Sequence, residues 1–533
     1  MVLTVFILLV VLTTAGFSIN IFGAEINIVS FHTIAMILTA LFISRFVLSE
    51  NVWHDRFSTI CRDICNKRYT IFFIFFIIAL IYFIIKLHSF NSLSKPKLDF
   101  TLYYQAVVNT LNGKFLYLSI FQRSYLSEHF ALIIVLQVPF YFIFPSPFTL
   151  FVYHSASLAA TVITAFYLSR ILLKDSFFAI LFAISLTTMF EFNALVTWDL
   201  HHESAYPVLL LLTFICLEKD RSWLFLICLL ALWTIKEDAQ FYTFAFSIGV
   251  IIYKKWWKQG LIGVSLSIVS WLLVMFVIMP NLGNPNNTTS THFLNERWGK
   301  YGQSFWEIFV YFINNPSVIF NSIFSLGVLR ILASFLFLPL LSPWISCTIL
   351  PILIHTTSGF KTQAALSAYY GNPIAVMMAI SFLYGLRNLI SWSKHRNWNT
   401  TRIVLILILL FTFINFGNLR INPPDPNISE LDKIISLIPT QVSVATQENL
   451  CHHLYKNNRI FFLVDRTDAD YLLFDLSYSG WFALNSARHL VFELSKSKDY
   501  ELISSFGEEK LSLIEGDYRP FKRFYLFKWL NPK

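Results

Sequence analysis

The chain has 533 residues, of which 56% are hydrophobic and only 13% charged, and Phe alone fills 56 positions. This excludes an ordinary soluble protein, which at such a length carries far more charge, and repeated apolar runs of about 15–20 residues point to a polytopic helical membrane protein. The net charge of +9 does not mark a nucleic-acid binder, because Lys and Arg collect in cytoplasmic loops of membrane proteins.

In chain order, spans are predicted near 2–22, 29–48, 70–88, 148–169, 177–190, 205–217, 222–235, 239–253, 260–279, 327–341, 344–356, 371–389 and 403–418, about 13 in all. The first, Val2 to Ile21, has neither a charged leading region nor a small-residue cleavage site, so it reads as a retained span. Arg45, Arg56, Arg62, Lys67 and Arg68 place the loop after the second span, and with it the N-terminus, in the cytoplasm. Residues 130–144, broken at Pro139, are expected to lie along the outer surface or to dip in and return. Were they to cross, the basic residues from Arg170 onward would fall outside. The six cysteines are scattered and read as structural, since Cys61 and Cys65 lack the partners that would complete a metal site.

With this threading the outer loops carry Asp99, then Glu128 and His129, then "WDLHHESAYP" with Asp199, His201, His202 and Glu203. "KED" (Lys236, Glu237, Asp238), "NERWGKYG" with Arg297, and the stretch from His355 to Tyr370 follow on the same side. Ionisable groups at a membrane boundary are costly to keep, and the set reads as one extracytoplasmic site. Taken singly, each also fits an interfacial polar residue at a helix end.

After "NPPDPN" (Asn422 to Asn427) the composition turns mixed and charged. "VSVAT", "RIFFLV" and "YLLFDL" read as short buried strands, with a helix between the first two and more strands near 499–505, 509–514 and 521–528. The expected organisation is an N-terminal two-span segment with its cytoplasmic loop (1–68), a transmembrane core (69–420) and a small extracytoplasmic α/β domain (421–533). That domain has no Gly-rich phosphate loop, and capping the core or meeting a partner is its expected role.

Several short motifs now fall in a familiar order. "LDFTLYYQAVVNTLNGKFLY", "SEHF", "WDLHHESAYP", "KED", "LPLLSP" and "SVATQENLCHHL" together resemble a prokaryotic family of polytopic membrane proteins, domain of unknown function 2079. This family is grouped with the GT-C class of membrane glycosyltransferases. The resemblance covers residues 95 to 480. The chain departs from the family pattern at Phe100 and Thr101, where a Gly often follows the first Asp, at Glu128, where the family has Asp, and at His202, often a Pro.

The resemblance implies a GT-C-like core in the cell membrane that moves a sugar from a polyprenyl-phosphate carrier to an acceptor on the outer side. The acceptor could be a glycan, a lipid or a protein. An acidic residue in the first external loop of that class activates the acceptor or holds a metal, and Asp99 occupies that place. A hydroxyl nucleophile needs a base within hydrogen-bond reach, and a leaving phosphate needs positive charge. Asp99 is therefore the leading base, against a simple N-cap for the helix it opens. Glu128, His129, Asp199 and His201 are candidates to orient the acceptor or act with it.

Lys236 and Arg297 suit the donor phosphate. His202, Glu203, Glu237, Asp238, Tyr369 and Tyr370 would support them, although Glu237 and Asp238 could simply pair with Lys236. The cofactor is undetermined. If a divalent metal binds, Asp99, His201 and Glu203 are its candidate ligands, and His with carboxylate suits Zn or Mn better than Mg. Two other readings stand beside the enzyme: a transporter or flippase for a lipid-linked glycan, which should show mid-membrane charges and a repeat of spans, and a non-catalytic envelope assembly protein.

Overall fold

The computed structural model describes residues 17–21, 24–28, 52–95, 97–283, 295–396, 398–415, 423–455, 459–463, 468–480, 483–514 and 517–530. The expected span 29–48 lies outside them, as does most of 2–22. The described end of that first stretch, Phe17–Ile21, pairs antiparallel with Ala24–Ile28 as a hairpin instead of continuing a helix.

The protein is mainly helical. Five described helices are long and apolar enough to cross a membrane: Tyr69–Phe90, Phe148–Leu173, Trp257–Leu282, Pro316–Ser334 and Asn372–His395. A sixth crossing forms if Ser176–Thr187 and Phe190–Thr197, bent by 58° at the break between them, count as one. Other expected spans fall on shorter helices such as Ala205–Glu218, Ser222–Trp233 and Thr400–Ile414, below the roughly 20 residues a perpendicular crossing needs. Asn372–His395 is the central helix, with 72% of its apolar window buried, whereas Tyr69–Phe90 and Trp257–Leu282, at 17%, present most of their surface outward.

Phenylalanine builds the bundle's interior. Phe182, Phe335, Phe382 and Phe411 join four separate segments, with ring centroids 4.9–6.0 Å apart. Local signals set the boundaries. Asp175 accepts from the Phe177 and Phe178 N–H groups and starts Ser176–Thr187, just after Lys174, in the left-handed region, has closed Phe148–Leu173. Residues 130–144 form a 3-10 turn, Leu132–Gln137, leading into a short helix, Val138–Ile143, with Phe140, Phe142 and Phe144 exposed.

The C-terminal residues form a five-stranded mixed sheet in the order Arg459–Phe462, Ser443–Thr446, Tyr471–Asp475, Phe524–Trp529, Tyr500–Phe506. The first three run parallel, and Phe524–Trp529 is antiparallel to both of its neighbours. The expected helix after the first strand is a single 3-10 turn, Cys451–Leu454. The sheet does not hang free. Leu431, Val444, Leu450, Leu473 and Leu526 share one hydrophobic cluster with Phe90, Phe100, Tyr104 and Phe151 from the membrane-adjacent part of the chain. The His452 ring nitrogen Nε2 lies 2.8 Å from the Phe90 carbonyl, Asn449 donates to the Leu93 carbonyl at 3.2 Å, and the Lys97 N–H donates to the Glu448 carbonyl at 3.1 Å.

Candidate functional site

The bent pair of helices ends at Thr197, and the chain then runs extended through Trp198 to His201 before the 3-10 turn His202–Ser204. This delivers "WDLHHES" against the start of helix Leu98–Leu111. The cap of that helix is not Asp99. Lys97 occupies the N-cap position without a side-chain cap, and Asp199, from the other segment, accepts from the Phe100 N–H at 2.9 Å. The second Asp199 oxygen accepts from the Leu200 N–H at 2.9 Å. Asp199 thus pins two backbone segments together, a positioning contact for a residue that the sequence offers as catalytic.

Freed from capping, Asp99 accepts from the Trp198 indole N–H at 3.2 Å and lies 3.7 Å from His201 Nε2. Burial, with the Asp199 charge added, raises its carboxyl to about 7, a range in which a carboxylate takes up a proton readily near neutrality. His201 is buried, stacked on Tyr369 at 3.9 Å between ring centroids and on His202 at 4.9 Å. Its Nδ1 faces a Glu203 oxygen at 3.9 Å. His202 meets the Tyr103 hydroxyl through Nδ1, and Tyr125 donates to the same hydroxyl at 3.0 Å.

The "KED" triplet sends its three side chains to three different segments. Lys236 forms a buried ion pair with Glu203. Burial opposes the lysine's charge, but Glu203 and Asp238 outweigh it and hold the ammonium above its ordinary value. Glu237 turns to the other loop: one oxygen lies 3.0 Å from His129 Nδ1, and the other accepts from the Phe130 N–H at 3.0 Å. Burial pushes Glu237 up, yet His129 and Lys236 prevail, so its carboxyl sits well below the usual range. Asp238 accepts from Tyr206 and lies 3.6 Å from His355 Nε2. Glu128 does not join the cluster through its carboxylate, which pairs with Arg123.

Arg297 reaches the same region from the "NERWGKYG" segment. It donates to Gln363 and lies over Phe360 and Tyr370, while Lys236 lies over Tyr369 and Tyr370. Tyr370 is thus flanked by both cations. Lys236, Asp238 and Arg297 line one cavity of about 590 Å³, whose other walls are mostly apolar, including Phe241, Trp271, Met275, Phe309 and Leu353. A continuous series of contacts runs from this cavity through Lys236, Glu203 and His201 to Asp99.

Sequence reasoning missed Tyr103, Gln363 and Lys86. Lys86 is buried within helix Arg68–Phe90 and donates to the carbonyls of Trp198 at 2.6 Å, Asp199 at 3.3 Å and Leu195 at 3.4 Å. A lone charge inside an apolar span was the available signal for it.

The ligand atoms of His201, His202 and Glu203, one from each, lie within 4.8 Å of one another. Asp99, the third ligand expected from the sequence, approaches the opposite nitrogen of His201.

No curated protein matches the chain. Among solved structures, ArnT from Cupriavidus metallidurans bound to undecaprenyl phosphate is similar over 85% of this chain and 97% of its own, with 9% identity and a TM-score of 0.49. The model of the family described as "Predicted membrane protein (DUF2079)" matches residues 86–505. That stretch holds the Asp99 helix, the residues gathered at the site and most of the C-terminal sheet, and the chain belongs to this family of predicted membrane proteins.

Proposed function

We propose that the protein is an integral-membrane glycosyltransferase of the GT-C kind, moving a sugar from a polyprenyl phosphate to an acceptor hydroxyl on the extracytoplasmic side. The observation that carries this reading is the largely apolar cavity whose wall holds Lys236 and Arg297 beside the carboxylates Glu237 and Asp238, with Lys236 paired to Glu203 and His201 lying within 4 Å of both Glu203 and the partly exposed Asp99. An isoprenoid chain needs apolar walls and its phosphate needs fixed positive charge, and both are present in one cavity.

In the transfer, the acceptor O–H gives its proton to Asp99 while its oxygen bonds to the anomeric carbon. The bond from that carbon to the phosphate oxygen breaks, and the lipid phosphate departs with the electron pair. Lys236, held charged by its neighbours, and Arg297 stabilise that developing charge. The side chain of Asp99 is 30% exposed, which leaves an approach for the acceptor. The basic loops favour placing this face, and the C-terminal sheet packed beside it, outside the cell. A transporter would want charges at mid-span, whereas Lys86 lies near the end of Tyr69–Phe90 and its three carbonyl partners give it a local structural role.

The test is sugar transfer by the purified protein in lipid from a panel of radiolabelled polyprenyl-phosphate sugars, with an envelope lipid extract as acceptor. Wild type transfers label, and Asp99→Asn lowers the rate by about 10²–10⁴-fold while its unfolding temperature is retained. Full activity in a folded Asp99→Asn protein refutes the assigned base. Unchanged activity in Lys236→Met refutes the assigned phosphate contact.

A further inference from the structure

Two imidazole nitrogens next to the Asp99 helix find no hydrogen-bond partner among the described residues. His201 Nδ1 and His202 Nε2 are both buried without a hydrogen-bond partner, in side chains 4% and 1% exposed. Buried polar atoms are nearly always satisfied, so a pair of orphaned nitrogens on adjacent residues calls for an explanation. Glu203 stands beside them, 3% exposed. One of its oxygens is taken by Lys236, and the other faces His201 Nδ1 at 3.9 Å.

We propose that His201, His202 and Glu203 bind a transition-metal ion of the Zn²⁺ class, with Asp99 as the outer carboxylate that orients His201. The proposal concerns the same site as the transferase reading, but it stands on separate observations. An ion about 2.1 Å from each of three ligands in tetrahedral geometry needs ligand atoms about 3.4 Å apart. Three atoms already within 4.8 Å reach that by movements of about an ångström.

Two nitrogens and one carboxylate oxygen form a donor set suited to Zn²⁺, Mn²⁺ or Co²⁺ and poorly suited to Mg²⁺. A metal-binding histidine usually gives its other N–H to a carboxylate. Asp99, 3.7 Å from His201 Nε2, is placed for that contact, which leaves Nδ1 with its lone pair inward. His202 likewise has its far nitrogen, Nδ1, on the Tyr103 hydroxyl. Glu203 serves both neighbours, one oxygen on Lys236 and one toward the ion. When bound, the ion supplies a Lewis-acid charge beside the two cations of the cavity wall.

The experiment reads metal and not transfer, so this inference and the transferase reading fail separately. The full-length protein, purified in detergent and stripped with chelator, is titrated with Co²⁺ while visible absorption is followed, and Zn²⁺ content is measured by elemental analysis after dialysis. Wild type takes up one equivalent with a new visible band. His202→Ala and His201→Ala weaken uptake by more than 100-fold, and Asp99→Asn weakens it by about 10–100-fold. His395→Ala, at the C-terminal end of helix Asn372–His395 and outside the donor set, leaves it unchanged. If a histidine variant does not fold, nitrogen hyperfine coupling on a bound paramagnetic ion in wild type reads the imidazole ligands directly. Folded wild type that binds less than a tenth of an equivalent, or binding undiminished in folded His202→Ala, overturns the proposal.

Discussion

Glu237 ties two loops together, through His129 on one side and the Phe130 N–H on the other. Its carboxyl is depressed below the ordinary value of 4.5, so its contribution is complete above that pH and fades only as the pH falls toward the lower folded value. Glu237→Gln should therefore cost about 1–3 kcal/mol at pH 7. The gap in unfolding temperature between the two proteins should narrow below pH 4.5, and a gap that stays constant down to pH 3 would contradict this clamp. The sequence made the clustering of these groups legible, through "WDLHHES" and "KED". The pairing was not legible. Adjacent residues in a turn point in different directions, so Lys236, Glu237 and Asp238 each make their closest side-chain contact with a different segment, while their charges still act on one another. Asp199 shows the same limit: its spacing from His201 suggests chemistry, while its oxygens hold the Phe100 and Leu200 amides.

At the scale of elements, the helix Phe190–Thr197 aims the whole site loop, and Lys86 fixes its C-terminal end. A cation at that end satisfies orphan carbonyls and opposes the negative pole of the helix. Lys86→Met should lower stability by about 1–3 kcal/mol and loosen residues 198–203, measured as faster amide exchange in that loop. Exchange rates equal to wild type would refute the role. Spans rich in Leu, Ile and Phe were legible from composition, and Tyr69–Phe90, Phe148–Leu173 and Asn372–His395 lie close to their expected places. Breaks were harder to find. The predicted span 327–341 instead ends at Ser334, because Leu336 and Phe337 adopt positive φ of 55° each. Neither residue type announces a left-handed turn.

At the scale of the molecule, one face of the C-terminal sheet shares a hydrophobic cluster with the region around Asp99, while a second cluster, with Ala445, Leu472 and Val491, is built from C-terminal residues alone. Asn449 bridges the sheet and the segment before the Asp99 helix. It is fully buried and donates to the Leu93 carbonyl and to Asp475 at 3.0 Å. Asn449→Ala should cost about 1–3 kcal/mol and render residues 423–530 cleavable by protease in the intact membrane. Protection equal to wild type would refute the role given to Asn449. Strand positions were legible from β-branched and aromatic runs, but their docking was not, since no local pattern tells which apolar face meets a distant helix.

The same docking has a consequence for the order in which the protein is made. Residues 447–453 support the backbone from Phe90 to Lys97, just ahead of Asp99, yet they emerge from the ribosome after every described membrane helix. The Asp99 helix therefore acquires its final supports only when the last part of the chain has been synthesised and brought to the same side. A prematurely terminated chain can insert its helices and still lack a finished site, so completeness of translation becomes a condition for competence.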